Sequence, residues 1–497
     1  MSNTIIDPNQ TSQTNTTDAS SIFELSDFKI HFKKPKAWTT PLGTTIEHHA
    51  FKKLLRTDIR GIFESKGIID PDLDAREIVA QVFPFKINQH IVDQINWQNY
   101  QEDPLFQLTF PQKEMLSEEE INDVKALKKA NASRETIAEK ISKIRTKKNP
   151  APANQSANRP FIDSDDEPEF IDGLQHKYKK IVLMFHKNAQ TCHAYCTYCF
   201  RFNQFVGKDK FLEEDHSRLH KYLKSHKEVS DLLMTGGDPA TMKADVWKKV
   251  LLPLLSPEFN HIQTIRMGTK ALSYHPYRFL TDPDADELIG LFRKMRDSGK
   301  HVSIMGHFSH FQEMGPVTLE AIRRLREEAG ATIRTQSPVM KHINDSSYVW
   351  AKMWDLQVQN GMIPYYMFIA RDTGAREYFE IPLARALDIY QGARKQVSGL
   401  GHTARGPSMS CGPGKICIMG KETIAGEDVF ILKFLQGRNE DWCDRVFFAK
   451  YDEKAAWIDQ LQPAFGEKRF FFEEEYAHIL NEKQKKYNEM LKQGAVA

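Results

Sequence analysis

The chain has little of several things. Its 497 residues include only six cysteines, too few for the disulfide framework of a small secreted domain. Lysine and arginine outnumber aspartate and glutamate by 68 to 66, so no overall field draws the protein to nucleic acid. No apolar run approaches the length of a membrane-spanning helix. The first twenty residues lack both the basic start and the apolar stretch of a secretory leader. Rich in Asn, Thr and Ser, they read as a disordered tail, 1–20. These absences predict a cytoplasmic protein with no membrane or nucleic-acid partner.

The cysteines are unevenly placed. Half of them, Cys192, Cys196 and Cys199, fall in one C-x3-C-x2-C stretch. Such a loop wraps three thiolates onto one face of a 4Fe–4S cluster and leaves the fourth iron open. Zinc is the alternative, but it usually takes four N/S ligands, often as two C-x2-C halves, and no second pair follows. The spacing resembles the signature of the radical S-adenosylmethionine enzymes, whose open iron chelates the methionine end of that cofactor.

Around this stretch the pattern divides the chain. Residues 21–149 carry helical stripes, with a capping box at Ser117–Glu120 opening one of them. Residues 150–168, rich in Pro, Asn and Asp, read as a linker. From 169 to 397, β-rich runs at 180–186, 231–237, 264–270, 301–308, 331–337 and 364–371 alternate with amphipathic helical stretches. About six such units predict an α/β fold with a parallel sheet, a partial TIM-like barrel whose functional residues lie at the C-terminal ends of its strands. Gly236-Gly237-Asp238, Arg266, Gly268, His307, Gln336 and Arg371 are placed accordingly. Each has an ordinary explanation as a turn or a satisfied core residue; together they predict one lined cavity. In the last segment, 398–497, Lys415 sits in a Gly/Pro-rich loop, where a dry lysine could form a Schiff base. A charged amphipathic helix for docking or subunit contact closes the segment.

From about Glu167 to Leu432 the chain resembles the lysine 2,3-aminomutase family. The likeness rests on Gly173–Tyr178, the three cysteines with Arg201, Thr235–Asp238, Gly306–His310, Thr335–Ser337, Ile343–Asp345, Pro364–Tyr366 and the Gly-Pro-Gly-Lys stretch ending at Lys415. It implies a radical S-adenosylmethionine barrel with a C-terminal pyridoxal-phosphate segment. Cys192, Cys196 and Cys199 would ligate the cluster. Gly236, Gly237 and Asp238, with His307 and Gln336, would meet S-adenosylmethionine. Lys415 would carry pyridoxal phosphate, and Lys177, Tyr178 and Arg266 would grip its phosphate, Lys177 standing where arginine is usual. Arg201 would bind the substrate α-carboxylate. The implied reaction is a 2,3-aminomutation of a free amino acid, which needs an electron donor such as flavodoxin or ferredoxin; a homo-oligomer is expected.

The departures concern the substrate. Lysine-acting members carry two aspartates for the ε-ammonium, at positions that are Arg371 and Ser408 here. A glutamate-like substrate is favoured over lysine, since Arg371 can hold a carboxylate. The bland alternative pairs Arg371 with Asp372 or Glu377. The family's C-terminal cysteine cluster is missing, with only Cys443 in that region. A protein-bound residue or an unusual metabolite as substrate, and a cluster-binding sensor without turnover, are the other readings. Residues 1–149 match poorly, apart from a stretch between Phe83 and Leu105 that is similar to the region preceding the family's barrel.

Overall fold

The computed structural model describes residues 37–149, 158–162, 169–206 and 212–492. The expected tail and most of the expected linker lie outside these residues. Everything from Pro35 onward forms one unit.

A mixed sheet of eleven strands runs in sequence order. We number them β1 (Leu174–Tyr178), β2 (Ile181–Phe185), β3 (Asp231–Thr235), β4 (Thr264–Thr269), β5 (His301–His307), β6 (Thr332–Val339), β7 (Ile363–Ile369), β8 (Arg405–Ser410), β9 (Gly414–Ile424), β10 (Glu427–Gly437) and β11 (Val446–Lys450). Strands β2 to β8 pair in parallel, each with the next. A helix lies in every crossover between them, as parallel neighbours require. Four of these helices, His216–Ser225, Ala285–Asp297, Pro316–Glu327 and Ser347–Gln359, coincide with the amphipathic stretches read from the sequence. β1 and β9 to β11 pair antiparallel at the two ends of the sheet.

The six expected runs are β2 to β7; β1 and β8 to β11 are additions. β8 reads Arg-Gly-Pro-Ser-Met-Ser, which local chemistry marks as a loop. It is a strand because Gly406 lets it lie against β7: a Cβ there would stand 2.4 Å from the carbonyl oxygen of Met367.

Burial alternates along the parallel strands. In β4 and β6 every second residue is fully buried and its neighbours are half-exposed. The buried set, including Ile265, Met267 and Ile333, joins the helices in the main core. The half-exposed set, including Arg266, Arg334 and Gln336, shares the opposite face, since side chains of a strand alternate.

Residues 37–149 supply most of a second core, built on Phe63, Phe106, Phe110 and Val79 and joined by Ala194, Phe202, Tyr274 and Phe379. Helix Glu118–Lys129 opens with the expected capping box: Ser117 Oγ accepts from Glu120 N at 3.1 Å and Glu120 Oε2 accepts from Ser117 N at 3.0 Å. Among the described residues no helix is long and apolar enough to cross a membrane.

Candidate active site

The cysteine loop leaves the C-terminal end of β2 and has no regular structure of its own. Its backbone is satisfied from outside, as a buried irregular segment requires. Tyr195 N donates to Lys86 O at 2.8 Å and Thr197 N to Leu108 O at 2.9 Å. Thr197 Oγ1 donates to Gln107 O at 2.7 Å. Asn88 Nδ2 donates to His193 O at 3.3 Å and to Tyr274 O at 2.8 Å. Lys86 Nζ bonds Thr191 Oγ1. Lys86, Asn88, Gln107 and Leu108 therefore brace the loop. Sequence reasoning missed these contacts, because most are made by backbone carbonyls.

From the sheet side, the turn after β3 closes on the same loop. Gly237 N donates to Ala189 O at 2.8 Å and Asp238 N to Thr191 O at 2.7 Å. A Cβ on Gly237 would lie 2.5 Å from Thr191 O, so only glycine fits. The Asp238 carboxylate turns inward: it accepts from Thr269 Oγ1 at 2.7 Å, Lys270 N at 2.8 Å and Ala240 N at 2.9 Å. Burial raises its pKa to about 6. It fastens the turn, and the part of this turn left to meet a ligand is the Gly236–Gly237 backbone.

The three thiols are free. Burial is the first cause of their raised pKa values, that of Cys199 reaching about 12. A metal arriving here must displace protons. Among the described residues no group of three or more His, Cys, Asp or Glu is gathered tightly enough for one ion. A 4Fe–4S cubane differs from zinc in bonding each thiolate to a different iron. Three thiols on one irregular loop, beside a glycine turn with no room for a Cβ, fit such a cluster.

A second set of groups lies on the half-exposed face of the sheet. Lys415 is the second residue of β9 and not part of a loop; the turn before it is Cys411–Pro413. Its Nζ stands 3.9 Å from the centre of the Tyr366 ring. Burial, then the charges of Arg405, Lys177, Arg266 and Arg371, hold its pKa well below the usual value. Lys177 Nζ donates to Cys411 O at 2.6 Å, at the turn leading into Lys415, and burial lowers its pKa to about 7. Tyr178 lies next to it, its hydroxyl kept protonated by burial. Arg266 is third in β4, not at the strand's C-terminal end, and its guanidinium is gripped by Asp231, with Nε 2.8 Å from both carboxylate oxygens. Arg405, which sequence reasoning did not single out, stacks on Tyr365 and Tyr366 at 4.5 and 4.3 Å.

Arg201 and Arg371 meet beside the cysteine loop. Their guanidinium carbons stand 5.0 and 4.5 Å from the centre of Phe200, the residue after Cys199. Burial, then the nearby Arg371, lowers Arg201 to about 10. Neither guanidinium has a hydrogen bond or ion pair within the described residues. Glu377 is engaged by Lys148 at 3.1 Å, and Asp372 contributes only its charge, so the ion pair of the bland alternative does not form. His307 Nε2 and Gln336 Nε2 are 2.7 Å apart, side by side in the β5–β6 register. Burial, then the charges of Lys270 and Arg201, lowers His307 to about 3. Ser408 is fully buried, its Oγ directed at Met367 O at 3.4 Å.

Arg371 is thus among the charges felt by both Arg201 and Lys415. Of the acids near this cation set, Asp231 is bound to Arg266 and Asp372 reaches Arg371 through its charge alone. Such a set is complete only with an anion. A buried amine of lowered pKa beside aromatic rings and several cations fits a flat, phosphorylated aldehyde such as pyridoxal phosphate.

The protein so defined is an α/β chain whose cysteine loop and buried amine border one cation-lined sheet face. No family model matches it. A relative from Aquifex aeolicus, provisionally named as an L-lysine 2,3-aminomutase, is 28% identical over 80% of this chain and 93% of its own. The L-lysine 2,3-aminomutase of Clostridium subterminale is 25% identical over 56% of this chain and 64% of its own. The glutamate 2,3-aminomutase of Clostridioides difficile is 24% identical over 56% of this chain and 65% of its own. A radical SAM methyltransferase from Sphaerobacter thermophilus aligns in structure over 72% of this chain and 94% of its own, at 11% identity and a TM-score of 0.34. The named relatives are aminomutases. Over most of its length the chain is similar to proteins named as lysine and glutamate 2,3-aminomutases.

Proposed function

We propose that the protein is a radical S-adenosylmethionine, pyridoxal-phosphate-dependent 2,3-aminomutase acting on an amino acid with an anionic side chain, glutamate-like rather than lysine. The observation that carries the substrate reading is the pair of guanidiniums, Arg201 and Arg371, on the ring of Phe200, neither with an ion-pair partner among the described residues. In this reading β2 to β8 are the strands of an open barrel whose half-exposed face is the reaction chamber.

When bound, the cluster and S-adenosylmethionine would supply a carbon radical that removes hydrogen from the substrate Cβ, and pyridoxal phosphate would supply the route for nitrogen migration. The chain's own residues do the rest. Cys192, Cys196 and Cys199 would hold the cluster, with the backbone of Gly236 and Gly237 alongside. His307, the last residue of β5, and Gln336, its neighbour within β6, offer neutral polar groups side by side. Lys415, whose pKa is lowered by burial and by the neighbouring cations, would hold the pyridoxal group by its nitrogen. Lys177, Tyr178 and Arg266 would face the phosphate, and Arg405 adds a fourth cationic or hydroxyl donor to that set.

Arg201 would take the α-carboxylate and Arg371 the side-chain carboxylate. A planar guanidinium can hold a carboxylate by two parallel hydrogen bonds. An ε-ammonium at Arg371 would instead meet a like charge where water is scarce and charges interact strongly. Enclosure by the braced loop and the sheet keeps water from a reactive radical.

The test is anaerobic reconstitution of the full chain with iron, sulfide, pyridoxal phosphate and S-adenosylmethionine, followed by mass spectrometry of products from a panel of amino acids. A β-amino acid formed from an acidic substrate supports the reading. The absence of any β-amino product from a fully loaded enzyme contradicts it.

A further inference from the structure

We propose that Tyr274 is the hydrogen-bond donor that sets the reduction potential of the cluster bound by the cysteine loop; this rests on the cluster reading above. Tyr274 ends the short helix Ala271–Tyr274 that follows β4. It is 2% exposed, and its hydroxyl stands 3.3 Å from Cys196 Sγ. Among the described residues that hydroxyl has no other hydrogen-bond partner. Once Cys196 is bonded to iron its sulfur carries no proton, so the phenol must donate and the sulfur accept.

The tyrosine cannot easily turn away. Its backbone N donates to Lys270 O at 2.9 Å. Its own carbonyl accepts from Asn88 Nδ2, the amide that also reaches His193 O on the cysteine loop. One side chain therefore holds both the donor's backbone and the ligand loop. Lys270 Nζ lies 4.7 Å from the Tyr274 ring centre and is paired with the buried Glu313 carboxylate, so the nearby charge is balanced. The Tyr198 hydroxyl also approaches Cys196, but it has Ser309 Oγ at 3.2 Å as an alternative partner. Tyr274 is the dedicated donor.

Its effect has a definite sign. Adding an electron to the cluster increases negative charge on the ligating sulfurs, so a hydrogen bond to one of them stabilises the reduced state more than the oxidised state. Hydrogen bonds to ligand sulfurs are among the determinants of cluster potential. Removing the hydroxyl lowers the potential and makes the cluster harder to reduce.

The experiment is a redox titration, followed by electron paramagnetic resonance, of the reconstituted full chain without S-adenosylmethionine, comparing wild type with Tyr274→Phe. The midpoint is expected to fall by about tenfold in the reduction equilibrium, ~59 mV for one electron. Iron–sulfur stretching bands of the wild type should also shift in deuterium oxide, and that shift should be smaller in the variant. An unchanged midpoint with an unchanged deuterium effect overturns the assignment. If the variant does not hold iron, 3-fluorotyrosine introduced at position 274, a stronger donor of the same shape, should raise the midpoint, and no movement overturns the proposal. A wild-type protein that assembles no cluster at all removes the cluster reading itself, and this inference with it.

Discussion

The guanidinium of Arg371 lies 4.5 Å from the centre of the Phe200 ring, which places a cation without an ion-pair partner among the described residues two residues past the end of β7 and beside the last cysteine of the loop. If its partner is the substrate, replacing it should affect catalysis and leave folding nearly untouched. Arg371→Met is expected to lower kcat/KM for an acidic substrate by about tenfold to a hundredfold. The thermal midpoint of the substrate-free protein should change little, because the guanidinium makes no hydrogen bond to the described residues. Steady-state kinetics beside a melting curve separate the two effects.

Arg266 should behave in the opposite way. Its Nε is 2.8 Å from both oxygens of Asp231, and both side chains are largely buried. Arg266→Ala leaves an uncompensated carboxylate and should cost roughly 2–3 kcal/mol in urea unfolding, below the ~3–5 kcal/mol of a fully buried pair because some exposure remains. Adding Asp231→Ala to that variant should recover part of the loss. Additive losses would show that the pair is not coupled.

Lys177 gives a pH dependence with a fixed sign. Burial, then the charges of Arg438 and Arg371, lowers its pKa to about 7, against roughly 10.4 when unfolded. Between these values the unfolded chain binds the extra proton, so the stability of the protein without cofactor should rise as pH rises through that window. Lys177→Met should flatten the rise, at most by about 1.4 kcal/mol per pH unit for one proton. A slope from pH 7 to pH 9 identical in wild type and variant contradicts the burial of this amine.

The brace from the N-terminal region predicts a loss of iron without a loss of fold. Asn88 caps helix Gln89–Gln94 by accepting from Ile91 N at 3.2 Å, and its amide holds the carbonyls of His193 and Tyr274. Asn88→Ala should destabilise by about 1–2 kcal/mol and reduce the iron retained after anaerobic desalting. Asn88→Asp keeps the cap but not the amide donors. It should therefore keep more stability than Asn88→Ala and still lose iron.

Much of this arrangement was legible in the sequence where chemistry is local. Alternating apolar runs marked β2 to β7, and the cysteine spacing and Gly236–Gly237 marked the loop and the turn that meets it. What stayed hidden depends on contacts distant in sequence. β8 looked like a loop because its glycine and proline suit close packing on β7, which no local pattern reveals. Asp238 looked like a ligand-facing acid, yet its carboxylate is held by Thr269 and Lys270, about thirty residues on. Arg266 looked like a strand-end residue, but β4 continues to Thr269. Gln107 gave no signal, although its carbonyl holds Thr197 of the cysteine loop and its Oε1 accepts from Tyr378 at 2.7 Å. Arg405 and Tyr274 were missed because a stacked arginine and a core tyrosine are ordinary until the residue opposite them is known.

The substrate preference of the loaded wild-type enzyme tests the central claim most directly. The measurement is kcat/KM for glutamate and for lysine, side by side, with the β-amino product identified by mass. Arg201 and Arg371 beside Phe200 predict that glutamate is preferred by about a hundredfold or more, and that Arg371→Asp narrows the gap. Efficient conversion of lysine to β-lysine by the wild type, at a rate equal to or above that for glutamate, would contradict it.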